Sequence, residues 1–249
     1  MRKLLLFLSL ALALPAAAEG RWQVTVMDGC YVWNPMPRPN DAVTWTGACV
    51  DGKTAGEGTL VWRFSEQGVA GEGRYVGFMR AGLADGQGSL ALPDGTRYQG
   101  QWRAGLKHGQ GTQLYASGDR YEGAWVDGRM HGQGVLRYAT GDVYEGAFED
   151  NRLHGGGVYV YADGDRYEGS FREGRAEGAG VYRYASGGRY EGEFKNAAFD
   201  GEGVLYLEDA EVHGQWREGN LVGRGRCHFR LTNEWRPCVE DGGKIKPAS

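Results

Sequence analysis

Six tyrosines, Tyr75, Tyr98, Tyr121, Tyr144, Tyr167 and Tyr190, stand 23 residues apart, and each opens nearly the same phrase. Residues 121–134 read YEGAWVDGRMHGQG, with close copies at 98–111, 144–157 and 167–180. A fixed period of this length is the mark of a repeat architecture, and it outweighs any local propensity. Two weaker copies open at Trp45 and Val212, which makes eight. The first interval stretches to 30 residues, with Ser65 to Gly71 as the place of the insertion, and the last shortens to 22. Irregular end units are what a stack requires, because an end repeat has a neighbour on one side only.

Within a unit the alternation has period two, as in a strand: Tyr121, Gly123 and Trp125 fall on one face, Glu122, Ala124 and Val126 on the other. A turn around Asp127 to Met130 leads into a return run in which Gly132, Gly134, Leu136 and Tyr138 are expected to share a face. The residues Ala139 to Asp142 then turn the chain toward the next tyrosine. Each unit is therefore a β-hairpin, joined edge to edge with the next. The chain holds 44 glycines in 249 residues, well above the ~7% of average usage. A glycine in a strand marks a close approach by another group. Gly123 is expected to seat a ring from the neighbouring strand, and Gly132 and Gly134 to do the same on the return strand. A single sheet layer has no second sheet to pack on, so rings lying over glycines must make its core. The 14 Tyr and 8 Trp residues argue against a flexible linker.

At these residues the chain resembles the MORN family (membrane occupation and recognition nexus), whose unit reads roughly YEGxWxxGxxHGxG. Residues 121–134 match every fixed position. The departures are Trp45 and Val212 for the opening tyrosine, Asn151 for a turn glycine, and Asp85, Glu177 and Asp200 for the histidine. The resemblance implies an all-β fold, an elongated single-layer antiparallel sheet solenoid of about eight hairpin repeats over residues 45–225. It implies no single function, since members act as scaffolds, dimerisation modules, membrane-proximal adaptors and appendages to enzymes.

The ends carry different signals. Residues 1–18, MRKLLLFLSLALALPAAA, have a cationic start, an apolar run and a small-residue end, the pattern of a signal peptide cut before Glu19. The apolar run falls short of the ~20 residues a spanning helix needs. Export to the periplasm, cell surface or exterior is expected, with residues 19–44 and 226–249 as caps. Cleavage removes Arg2 and Lys3, so the 28 basic and 32 acidic residues become 26 − 32 = −6. That balance argues against nucleic acid. Four cysteines, Cys30, Cys49, Cys227 and Cys238, allow three pairings in an oxidising compartment. In a long sheet the two ends lie too far apart for a bridge, so Cys30–Cys49 and Cys227–Cys238 are expected, each closing a cap.

Catalytic readings find little support. His108, His131 and His154 recur at one repeat position, but two strands at ~4.8 Å separate successive copies by ~10 Å, too far to share a metal. A turn role is favoured for them. Glu122, Glu145, Glu168 and Glu191 form a second ladder whose members have equivalent settings, whereas an acid/base pair needs unlike ones. The run His154 to Gly157 resembles a lipase oxyanion loop, yet no GxSxG elbow exists in the chain. No catalytic residue, metal or cofactor is expected. The candidate site is an aromatic stripe of Tyr121, Trp125, Tyr144, Phe148, Tyr167 and Phe171, with Tyr138, Tyr161 and Tyr184 from the return strands. Such a patch fits a protein partner, or alternatively a glycan or a membrane lipid.

Overall fold

The computed structural model describes residues 20–35, 37, 38, 40–66 and 69–248, so the leader expected at 1–18 lies outside the described residues. These are strands and turns, with no helix among them. They divide into two compact units, one ending at Ala139 and one beginning at Thr140. The amino-terminal unit contains β1 (Arg21–Val24), β2 (Tyr31–Asn34), β3 (Ala42–Trp45), β4 (Ala48–Val50), β5 (Lys53–Glu66), β6 (Val69–Arg80), β7 (Leu83–Ala91), β8 (Arg97–Arg103), β9 (Leu106–Leu114), β10 (Arg120–Val126) and β11 (Arg129–Arg137). The carboxy-terminal unit contains β12 (Val143–Glu149), β13 (Arg152–Val160), β14 (Arg166–Arg172), β15 (Arg175–Arg183), β16 (Arg189–Lys195), β17 (Ala198–Tyr206), β18 (Ala210–Arg217), β19 (Asn220–Leu221), β20 (Gly225–Phe229), β21 (Glu234–Asp241) and β22 (Lys244–Pro247). From β5 to β11, and again from β12 to β18, every strand pairs antiparallel with the next.

The glycine seats are real, with one change of occupant. A Cβ on Gly123 would lie 2.5 Å from the hydroxyl of Tyr121 on its own strand, not against a ring from next door. The neighbouring strand's ring does cover Gly134, where a Cβ would lie 2.5–2.7 Å from Tyr121. One tyrosine thus lies across two glycines, at positions +2 and +13, and the same geometry recurs under Tyr75, Tyr98, Tyr144, Tyr167 and Tyr190. Trp45 repeats it over Gly47 and Gly58, so the first unit keeps the plan with a larger ring. In the last unit Val212 is too short, and the Leu221 side chain approaches Gly214 and Gly225 instead.

Gly132 is not a ring seat. Gly123 faces Gly134 and Trp125 faces Met130, so the single residue Ala124 on β10 is matched by three on β11, His131, Gly132 and Gln133. This bulge recurs in each hairpin from β6–β7 to β16–β17. Gly132 lies within it at φ 62°, and a Cβ there would meet Ala124 on the opposite face. The left-handed backbone needs glycine, and the kink reaims the strand. The hairpin loop is also tighter than the turn expected over Asp127 to Met130. Asp127 and Gly128 alone form it, at φ 47° and 83°, the signature of a type I′ turn. Asn151, in place of glycine, sits at φ 68°, which asparagine tolerates better than most residues. The insertion around Ser65 to Gly71 lengthens the β5–β6 hairpin, where pairing continues out to Glu66 and Val69.

Both disulfides link cysteines near one end of the chain. Cys30–Cys49 and Cys227–Cys238 have α-carbon separations of 5.9 and 5.8 Å. Cys49 occupies the position, four residues past Trp45, where inner units place Trp or Phe, or Met79 after Tyr75. Cys227 takes the position of Leu136. At each end, then, a covalent bond replaces packing that a missing neighbour would have supplied.

Candidate functional site

The ring face is built from one tyrosine per unit and, from the unit of Tyr98 onward, a second ring of Trp or Phe four residues on, with Met79 in that place after Tyr75. In the amino-terminal unit Trp102 stands edge-on between Tyr75 and Tyr98, at 5.6 and 5.0 Å, and Trp125 between Tyr98 and Tyr121, at 5.6 and 5.1 Å. In the carboxy-terminal unit Phe171 bridges Tyr144 and Tyr167, and Phe194 bridges Tyr167 and Tyr190, at 4.8–5.3 Å. Edge-to-face contact of this kind adds to simple burial. Each opening tyrosine donates its hydroxyl hydrogen to the carbonyl three residues on, as Tyr121 does to Ala124 at 2.9 Å and Tyr144 to Ala147 at 2.8 Å. The indoles of Trp102 and Trp125 donate to the carbonyls of Gly88 and Gly111. Burial pushes the phenols of Tyr75, Tyr98, Tyr121, Tyr167 and Tyr190 well above the usual range.

The nine stripe residues fall into two groups. Tyr121, Trp125, Tyr144, Phe148, Tyr167 and Phe171 are buried, none more than 3% exposed. Tyr138, Tyr161 and Tyr184 are half-buried. In the carboxy-terminal unit the second group joins a row, with ring centroids of Tyr159 and Tyr161 4.7 Å apart, Tyr161 and Tyr182 6.0 Å, and Tyr182 and Tyr184 4.9 Å.

The two acid and base ladders lie away from this face or at its turns. Glu122, Glu168 and Glu191 pair with the arginine two residues before them, Arg120, Arg166 and Arg189, at 2.9, 2.6 and 2.5 Å. His108 lies 3.7 Å from Asp127 and His154 3.2 Å from Glu149, both beside hairpin turns. Where Asp85, Glu177 and Asp200 replace the histidine, their carboxylates accept a backbone N–H from the following hairpin turn, at Ala104, Asn196 and Glu218. Among the described residues no three His, Cys, Asp or Glu gather as metal ligands. In the His154 to Gly157 run, Gly155 is the bulge residue and Gly157 the seat of Tyr144.

Two features go beyond what the repeat pattern predicts. Asp119, Asp142 and Asp165 do more than form turns: each carboxylate accepts the backbone N–H of the next long turn, at Ala139, Ala162 and Ala185, at 2.8–2.9 Å. Asp142 and Asp165 also accept the hydroxyls of Tyr159 and Tyr182. A period-23 aspartate column is the signal in the sequence that could have found them. The second feature is Lys107. Its column holds Ala84, Met130, Leu153, Ala176 and Phe199 elsewhere, and its Nζ lies 5.2 Å from the Tyr98 ring and 4.8 Å from that of Trp125. The ammonium donates to Gln113, itself 1% exposed in a column otherwise of Leu and Tyr. Desolvation lowers the Lys107 pKa to about 8.

The MORN repeat model matches residues 75–97, 98–120, 121–143, 144–166, 167–189, 190–209 and 213–230, more than half of the chain. The chain belongs to the MORN-repeat family. MORN repeats typically serve as binding or scaffold modules, generally without catalysis, toward proteins or membrane lipids. The family model begins at Tyr75, whereas the ring-over-glycine geometry already operates at Trp45. No curated protein matches the chain.

Proposed function

We propose that this MORN protein is a non-catalytic scaffold of the cell envelope that holds a protein partner against the tyrosine rim of its ring face. The observation that carries the reading is the row Tyr159, Tyr161, Tyr182 and Tyr184 in the carboxy-terminal unit, whose outer members are half-buried. Rigid aromatics with one apolar face and one polar tip are favoured at protein interfaces. The buried rings beneath fix the row in place, so binding orders few side chains. Export is part of the same proposal: two disulfides fit an oxidising compartment, and among the described residues no helix is long and apolar enough to cross a membrane. Residues 1–18 are the leader, 19–44 and 226–249 the caps, and 45–225 the repeats.

The test uses Tyr138→Ser and Tyr184→Ser, singly and together, with the full chain as bait in cross-linked envelope extracts. One defined band should be captured by the parent and weakened by the variants, while the thermal midpoint moves by only a few degrees. Capture that survives both changes places the partner elsewhere, first on the proline-rich segment from Asn34 to Asn40. Amino-terminal sequencing of the exported protein should begin at Glu19.

A further inference from the structure

The face opposite the rings differs along the chain in how its arginines are paired. In the amino-terminal unit one cross-strand row reads Arg74, Ala91, Arg97, Leu114, Arg120 and Arg137, each residue directly opposite the next. Strand spacing puts Arg74, Arg97 and Arg120 ~10 Å apart in turn, with Arg137 ~5 Å beyond. All four arginines are exposed. Arg120 pairs with Glu122 at 2.9 Å, while Arg74, Arg97 and Arg137 have no ion-pair partner among the described residues. Like charges directly opposite are unfavourable, so Arg120 beside Arg137 leaves positive charge unanswered in the free protein.

The second row on this face supplies a different chemistry. It reads Val76, Ser89, Gln99, Thr112, Glu122 and Val135. From β6 to β9 neither row contains a carboxylate. Gln99 stands where later units place Glu122, Glu145, Glu168 and Glu191, and Thr112 where they place valine. Gln101 and Gln110 extend the same exposed carboxamide surface. A carboxamide both donates and accepts, as does a sugar hydroxyl, whereas phosphates and carboxylates call only for donors. Free guanidiniums beside carboxamides and hydroxyls therefore match a ligand carrying both anions and hydroxyls.

We propose that the outer face of β6–β11 is a binding surface for an acidic polysaccharide, its carboxylates held by Arg97 and Arg137 and its hydroxyls by Gln99 and Thr112. This surface belongs to the amino-terminal unit, on the face away from its own rings, and stands or falls independently of the protein-partner reading. In the carboxy-terminal unit Arg166, Arg183 and Arg189 stand opposite one another in the same row, but Arg166 and Arg189 pair with Glu168 and Glu191, so β6–β11 offers more free guanidiniums, and binding there weakens as salt rises.

The test measures binding of the full chain to polygalacturonate, with dextran, inorganic polyphosphate and anionic phospholipid vesicles as comparators. Polygalacturonate should bind best and dextran weakly. Arg97→Gln with Arg137→Gln should reduce affinity, on the order of tenfold for each guanidinium lost from a charged hydrogen bond. Gln99→Glu installs the residue that four other repeats carry at this position, so it preserves the fold, and it should weaken binding through repulsion. Polyphosphate or vesicles binding as tightly as polygalacturonate would overturn the sugar assignment. Unchanged affinity in Gln99→Glu and in the double arginine variant would remove the site altogether.

Discussion

The two units share one backbone plan and fill its variable columns differently. Before Ala139 the ring face admits a lysine and a glutamine, and the outer face is basic and amide-rich. After Thr140 the corresponding ring-face positions hold Leu153 with Tyr159 and Ala176 with Tyr182, the tyrosines are tied to Asp142 and Asp165, and glutamates recur on the outer face. The tyrosine over its two glycines, the bulge and the type I′ turn do not change. The invariant set specifies the fold, and the columns between are free to carry a surface or a polar core. Sequence patterns locate the first set because it recurs, and the second because it does not.

The sharpest way to break this comparison is to attack what both units share. Gly157→Ala places a methyl 2.5–2.7 Å from the Tyr144 ring and hydroxyl, and should cost about 3 kcal/mol, at the upper end of overpacking penalties. At its neighbour Gly156 a methyl would meet nothing within 4 Å, and the backbone there has no left-handed φ, so Gly156→Ala should be neutral or stabilising by ~0.5 kcal/mol. Urea titrations of the two variants give the contrast directly. Equal losses would mean that glycine entropy, and not the ring seat, explains the pattern.

A smaller effect should distinguish the units. Asp165→Ala leaves the Ala185 N–H and the Tyr182 hydroxyl without their shared acceptor, an expected loss of about 2 kcal/mol. Hydrogen exchange should show it first at Ala185. If exchange there is unaltered, the aspartate column is only a turn former.

The smallest effect concerns the polar pair. Lys107→Met alone or Gln113→Leu alone leaves one polar group without its partner, whereas the double change restores the Met130–Leu136 arrangement. The double variant should be at least as stable as the parent, with a coupling of about 1 kcal/mol between the sites. The pH dependence has a definite sign. The Lys107 pKa falls from 10.5 to about 8 on folding, so between these values the unfolded chain binds more protons and stability rises with pH. Above about pH 10 the buried phenols, whose pKa values rise on folding, reverse the trend. Thermal melts from pH 7 to 10 should show a rise in the parent that Lys107→Met abolishes.

Much of this architecture is readable in the sequence because its causes repeat. The period of 23 follows from the tyrosines that recur from Tyr75 to Tyr190, and the strand alternation and the need for rings over glycine from units such as Tyr121, Gly123 and Gly134. The disulfide partners follow from the fold, since only near neighbours reach 5.8–5.9 Å. Simple alternation fails at Gly132, because a bulge turns a residue of the ring parity toward Ala124. Lys107 escapes for a different reason: attention to the columns that recur hides a single departure in a column that varies. The stripe divides into buried and half-buried members through packing depth, which no one-dimensional count contains.

The aspartate contacts bear on how such a chain grows. Each of Asp119, Asp142 and Asp165 reaches forward 20 residues to the backbone of the next turn, so a duplicated 23-residue segment brings its own joint. It asks nothing of the new neighbour except an amide that every turn possesses. Gene duplication can therefore lengthen or shorten the array in whole repeats without compensating mutations. At Gly188, where the column loses its carboxylate, that inheritance stops, and a copy added beyond it would be held by its rings and its strand pairing without the joint.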